Sequence, residues 1–303
     1  MGTDRSILAV GSVALDNVRT PFGRVSEALG GSATYFGAAA RFFAPVRLVA
    51  VVGRDFPERH LGLLRRLGVD TSAVQRASGR TFRWKGYYGY DLNNARTLKT
   101  ELNVFSAFDP QLPETHRTAG TVFLANIDPD LQLKVLRQVR SPRLVACDTM
   151  NFWIENKKPS LLKLLSKVDI LLCNDSEVRE LSGEYNLIRA ARWALSKGPK
   201  VVVIKKGEHG VACFTRQMVF CVPAFLLEQV YDPTGAGDTF AGGFIGTLAK
   251  GGRVDAASLR RAVIYGSVLA SYNVESFSLN RVAGLKYADI QLRFKALRAM
   301  TRF

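Results

Sequence analysis

The chain has 303 residues, 47% of them hydrophobic and 22% charged, a balance that suits a globular protein with one large core and excludes a disordered chain. Its formal charge of +16 is spread along the sequence in pairs such as Arg65-Arg66, Lys157-Lys158, Lys205-Lys206 and Arg260-Arg261. With no basic tail and no sequence-reading motif, that excess favours small anionic ligands and argues against a specific nucleic-acid reader.

The apolar run from Ile7 is broken by Gly11, Ser12 and Asp16, which is too short for a bilayer span, and no cleavable leader pattern surrounds it. Cys147, Cys173, Cys213 and Cys221 each sit in or beside an apolar run without a C-x-x-C pair, so they read as buried reduced thiols. A cytoplasmic protein is the expectation, with no membrane partner. His60, His116 and His209 are scattered, which argues against a zinc site.

Apolar, β-branched runs predict strands at Ile7–Leu15, Arg47–Gly53, Thr121–Ala125, Arg143–Cys147, Asp169–Cys173 and Lys200–Ile204. Helix-length stretches fall between them, at Ala33–Phe43, Arg59–Leu67, Leu131–Val139, Ser160–Leu165 and Leu187–Leu195. This alternation predicts an α/β fold, a doubly wound and mainly parallel sheet flanked by helices, spanning residues 1–303 as one domain. Residues 79–108 break the rhythm. Alternating aromatics there (Phe82, Trp84, Tyr87, Tyr88, Tyr90) and an Asp-Leu-Asn-Asn turn predict a small antiparallel β lid, to which 16–30 is a second candidate contributor. So many aromatics must cover the main body, a ligand or a partner subunit, so a homodimer through the lid is one option.

The segment Asp232-Pro-Thr-Gly-Ala-Gly-Asp238 precedes small and apolar residues at helical spacing, and Gly251-Gly252 ends that pattern. A helix therefore starts inside a glycine-rich turn, where unpaired amides and the helix dipole attract an anion. Asp238 beside such a site has two readings. It is a helix cap, worth about 1 kcal/mol, or a base that takes the proton of an acceptor hydroxyl. A Walker loop is excluded because no lysine stands in the required place, and Phe240 blocks a Rossmann pattern.

D-P-T-G-A-G-D-T-F-A-G-G-F resembles the C-terminal motif of the ribokinase-like (PfkB) family of carbohydrate and nucleoside kinases. The resemblance extends through Gly11–Asp16, Gly30-Gly31, Asn174-Asp-Ser-Glu177 and Lys205-Lys-Gly207-Glu-His-Gly210, in family order. It implies a magnesium-dependent kinase using ATP, with Asp238 as base and the amides of Gly235, Ala236 and Gly237 as anion hole. It implies acceptor contacts from Asp16, Gly30, Gly31, Tyr35 and Asn151. Nucleotide contacts would come from Asn174, Lys205, Gly207 and Gly210, joined by Thr234, Gly237 and Asn273. Asn174 and Glu177 would position Mg²⁺ through waters, and Asp232 with Thr234 would match a monovalent-cation (K⁺) position. Taken alone, Asn174 and Glu177 also read as a helix cap, and Asp16 as a turn residue.

Tyr35 stands where many family members carry asparagine, and Asp148-Thr-Met-Asn151-Phe-Trp153 places a polar and aromatic mix at a strand's carboxyl end. Tyr35, Trp153, Trp84, Tyr88 and Tyr90 offer stacking surface, which leans the acceptor toward a ribonucleoside. A free sugar or sugar phosphate is the alternative. A non-catalytic nucleotide-binding regulator is the alternative of another class.

Overall fold

The computed structural model describes residues 4–302. Chain order opens with β1 (Ile7–Val10), β2 (Ala14–Thr20), β3 (Gly23–Gly30), α1 (Ser32–Ala40), β4 (Val46–Gly53), α2 (Glu58–Arg66), β5 (Val69–Ala77), β6 (Arg83–Tyr88) and β7 (Ala95–Glu101). It continues with β8 (Thr121–Leu124), α3 (Pro129–Leu136), β9 (Leu144–Asp148), α4 (Asn151–Asn156), α5 (Lys158–Leu165), β10 (Ile170–Asn174), α6 (Asp175–Ser182), α7 (Leu187–Ser196) and β11 (Val201–Lys205). The last third holds β12 (Val211–Phe214), β13 (Val219–Val222), α8 (Ala236–Gly251), α9 (Ala256–Asn273), α10 (Asn280–Ala283) and α11 (Tyr287–Met300).

The large sheet has the order β13-β12-β11-β10-β9-β8-β1-β4-β5, parallel from β11 to β5 with two antiparallel strands at one edge. Its central strands are apolar throughout because both faces are covered. In β1, Ile7 and Ala9 enter one core, lined by α1, α8 and α9, while Leu8 and Val10 enter the other, lined by α3, α5, α6 and α7. That is the period-two rule applied to a strand buried on both sides. Helix α8 reaches α1 closely because Gly242 carries no side chain; a Cβ there would lie 2.5 Å from the Phe36 carbonyl oxygen. This contact fixes where the glycine-rich turn before α8 sits.

Two expectations change. The run Ile7–Leu15 is not one strand, because the chain turns at Gly11–Val13 and Ala14 begins a strand of the second sheet. Ser12 sits at the break, its hydroxyl 3.2 Å from that of Ser32, and its carbonyl accepts the Ala33 amide. The lid is a four-stranded sheet of order β3-β2-β6-β7, so residues 14–30 supply half of it, and β2 pairs with β6 in parallel. The hairpin β6–β7 is antiparallel with its turn over 89–94, as the alternation predicts, whereas Asn103–Ala107 forms a short 3₁₀ turn. No helix among the described residues is long and apolar enough to cross a membrane.

Candidate active site

Helix α8 begins as the glycine pattern predicts. Gly235 is its N-cap in the left-handed region at φ 75°, and Gly252 closes the other end at φ 72°. No side chain caps the N-terminus, so the reading of Asp238 as a helix cap fails. Asp238 is half-buried. Burial raises its pKa to about 7, the Asp148 charge adds to the rise, and Lys205 opposes it. That is a suitable value for a base working near neutrality.

The turn is held from below and behind. Asn273 on α9 donates to the Thr234 carbonyl at 2.8 Å and accepts from the Thr239 hydroxyl at 3.1 Å. Asp232 accepts the Thr234 amide at 2.9 Å through Oδ1, while its Oδ2 is buried with no partner among the described residues. The Tyr35 ring lies directly against Gly235, where a Cβ would come within 2.4 Å of its ring carbons. Any other residue at 235 would meet both that ring and the left-handed backbone.

Asp16 lies on the lid side of the same cluster. A Cβ on Gly30 would fall 1.8 Å from Asp16 Oδ2, so the β2–β3 hairpin closes only with glycine there. Burial lifts the Asp16 pKa to about 8, helped by the charges of Asp232 and Asp238 and opposed by the Gly31 amide. Tyr88, from β6, reaches down so that its phenol accepts the Thr234 hydroxyl at 3.4 Å. Burial holds both Tyr35 and Tyr88 well above the usual phenol range, with the carboxylates of Asp16 and Asp232 adding to the shift. Three carboxylates and two phenols therefore surround the space beside the helix start.

The third part lies at the carboxyl ends of β9, β10 and β11, where Asp148, Asn174 and Lys205 come together. Lys205 Nζ is 2.7 Å from Asp148 Oδ2, and the Thr149 amide donates to Oδ1 at 2.8 Å. Asn174 and Glu177 form a reciprocal capping box on α6: Asn174 Oδ1 accepts the Glu177 amide at 2.7 Å, and Glu177 Oε2 accepts the Asn174 amide at 2.6 Å. The cap reading is therefore correct, and it leaves Glu177 Oε1 outside the box. Burial raises the Glu177 pKa, and the nearby Lys205 ammonium opposes the rise.

Gly207 and Gly210 frame the turn after β11, both with positive φ. The lid tip touches this turn, with Asn93 bonded to Glu208.

Several expected roles move. Asn273 uses both ends of its amide within the chain, where it holds the turn before α8. The Thr234 hydroxyl donates to the phenol of Tyr88 in the lid. Asn151 donates to Glu180 on α6 and makes no hydrogen bond to Asp16 or Asp238. Tyr35 is buried against Gly235, so it offers no open stacking face, and Trp153 is tied to Asn126. Tyr90 is 93% exposed.

Asp148 was missed as a site residue. Its signal was nevertheless in the sequence: an apolar strand ending in a polar residue, like its neighbours Asn174 and Lys205.

The model of the pfkB family carbohydrate kinases matches residues 4–282. The chain is 30% identical over 250 residues to a cytidine kinase of Thermococcus kodakarensis, covering 81% of this chain and 89% of that one. In fold it is similar to the nucleoside kinase of Methanocaldococcus jannaschii, with a TM-score of 0.79 at 20% identity over 98% of this chain and 100% of that one. A Burkholderia thailandensis nucleoside kinase in complex with inosine gives a TM-score of 0.77 at 18% identity, over 97% and 99%. A helix entered through glycine with a carboxylate in its first turn, a four-stranded lid sheet and a family match from residue 4 to residue 282 identify the chain as a member of the pfkB family of carbohydrate kinases.

Proposed function

We propose that this kinase transfers the γ-phosphoryl group of ATP to the primary hydroxyl of a ribonucleoside. One observation carries the chemistry: Asp238 stands at the start of α8 without serving as its cap, beside the amides of Gly235 and Gly237, which have no partner among the described residues. The Ala236 amide, expected in the anion hole, instead donates to the Pro233 carbonyl at 3.1 Å. The Gly235 and Gly237 amides face the charge that builds on the phosphoryl oxygens, and Asp238 takes the hydroxyl proton as the new bond forms. Asp16, with Gly30 and Gly31 behind it, would hold acceptor hydroxyls under Tyr88. The similarity to a cytidine kinase supports a ribonucleoside as acceptor.

Mg²⁺ neutralises phosphate charge when bound. Glu177, a buried carboxylate with one oxygen outside its capping box, suits a water-mediated hold on it, with Asn174 alongside. Asp232 Oδ2, buried and without a partner, suits a monovalent cation such as K⁺. The turn at Gly207 and Gly210 would carry the nucleoside part of ATP. Exposed Phe22, Leu98 and Tyr90 on the lid support a homodimer through that sheet. Three buried free thiols, Cys147, Cys173 and Cys213, suit the reducing cytoplasm.

ADP release measured with a panel of ribonucleosides, free pentoses and free hexoses tests the reading. Turnover is expected with ribonucleosides and not with hexoses. The reverse profile rejects the nucleoside, and binding without turnover by any acceptor favours a regulator.

A further inference from the structure

Lys205 is a buried ammonium with an unusual set of neighbours. Its side chain is 18% exposed and that of its partner Asp148 only 4%. Besides Asp148, the carboxylates of Glu177 and Asp238 also act on it electrostatically. A buried ion pair is weak evidence of a stabilising role, because a well-packed apolar pair often does as well. Its position is more informative. The ammonium faces the anion-hole turn so closely that a Cβ on Gly237 would lie 3.1 Å from Nζ. Asp148 is itself fixed, through Oδ1 by the Thr149 amide and through its carbonyl by Gln132 Nε2 at 3.1 Å. The strand ends thus hold one positive charge between the metal-side residues Asn174 and Glu177 and the amides at the start of α8.

We propose that Lys205 is a catalytic residue that grips the transferring phosphoryl group, and that Asp148 is the positioning residue that aims it. This inference rests on the kinase reading above and adds a role for a side chain to an anion hole otherwise built from backbone amides. As the acceptor oxygen bonds to the γ-phosphorus, the bond from that phosphorus to the β,γ-bridging oxygen breaks and ADP leaves with the electron pair. The hydroxyl proton goes to Asp238. Lys205 keeps its proton throughout and balances negative charge on the phosphoryl oxygens, as positioned cations do in phosphoryl transfer. A bound γ-phosphoryl group would share the ammonium with Asp148, which keeps the side chain aimed before and after the transfer.

The test combines turnover with two nucleotide titrations, on the wild type, K205M, K205R, D148N and the double variant K205M/D148N. The double variant removes both charges together and guards against misfolding caused by an unpaired buried Asp148. Expected for K205M is a kcat loss on the order of 10²-fold. Its affinity for the non-hydrolysable analogue AMPPNP should drop about tenfold or more while ADP affinity stays within about threefold. K205R should recover part of both losses. D148N should lower kcat less than K205M does, and the double variant should be no slower than K205M, because Asp148 acts through Lys205. Equal losses for AMPPNP and ADP, or a K205M kcat within about threefold of wild type, would overturn the proposal. A double variant much slower than K205M would remove the role given to Asp148. If the wild type turns over no acceptor, the kinase reading fails, and the AMPPNP and ADP titrations still decide whether Lys205 grips the terminal phosphoryl group.

Discussion

Asn93, at the tip of the lid hairpin, and Glu208, in the turn after β11, exchange two hydrogen bonds across 115 residues of sequence. Asn93 Nδ2 donates to Glu208 Oε1 at 2.8 Å, and Asn93 Oδ1 accepts the Glu208 amide at 3.1 Å. The same oxygen lies 2.0 Å from where a Cβ of Gly207 would stand, so a side chain at 207 would push the lid tip away. The tip of the lid thus rests on the turn after β11. Hydrogen bonds contribute about 0.5–1.5 kcal/mol each net, and solvent exposure keeps the one to the Glu208 carboxylate from contributing much more. Asn93→Ala is therefore expected to weaken acceptor and nucleotide binding by about threefold to tenfold each, with kcat changed far less. Calorimetric titration of each ligand in the presence and absence of the other checks this, and unchanged acceptor affinity would refute it.

Asp238→Asn should abolish nearly all turnover, by on the order of 10²-fold or more, while nucleotide binding survives. The wild-type kcat/KM should rise with pH through about 7, because only the ionised carboxylate accepts the hydroxyl proton and burial holds its pKa near that value. An initial-rate profile between pH 5 and 9 measures it. A rate flat across that range would remove Asp238 as the base.

Asn273 offers a separate test of how the turn is built. Replacement by alanine leaves the Thr234 carbonyl and the Thr239 hydroxyl without their partner in a buried place. A loss of about 1–3 kcal/mol in stability follows for each unsatisfied group. Denaturant unfolding should show the midpoint fall at constant slope, and kcat should fall with it because the anion-hole amides lose their anchor. A residue that merely contacted nucleotide would instead raise the KM for ATP and leave the stability alone.

The parallel sheet was legible because strands buried on both faces must be apolar throughout, and Val201–Ile204 or Leu171–Cys173 has no other good use. The start of α8 was legible for a similar reason, since Gly235 is one of few ways to enter a helix at positive φ. What escaped was determined by contacts between distant segments. Nothing local to Gly11–Val13 shows that the chain leaves one sheet for another there, because the break is made by Ser32 and Ala33, twenty residues on. Asp148 looked like a strand end until β11 brought Lys205 beside it. The tie from Asn273 to Thr234 and Thr239 is likewise invisible in the sequence, because only the packing of α9 on α8 brings them together. Asn174 and Glu177 carry the opposite lesson. Their capping box is a local pattern that the sequence shows in full, and it leaves room for a second role.

The same burial that tunes the site should make the unliganded protein less stable as pH rises. In the unfolded chain Asp16 and Asp238 ionise near 3.8, whereas in the fold they hold their protons up to about 8 and about 7. Between those limits the folded state binds more protons than the unfolded one, so each carboxylate's contribution to stability falls as pH rises. The stabilising share is complete below about pH 4 and is lost by about pH 8. Asp238→Asn removes the charge that must be buried at high pH and changes little at low pH. The variant is therefore expected to be more stable than wild type at pH 8, by up to a few kcal/mol, and about equal to it near pH 3.5, while inactive at both. Thermal or denaturant unfolding of the two proteins at the two pH values gives the comparison. A variant no more stable than wild type at pH 8 would show that the Lys205 ammonium already compensates the buried Asp238 charge in the resting enzyme.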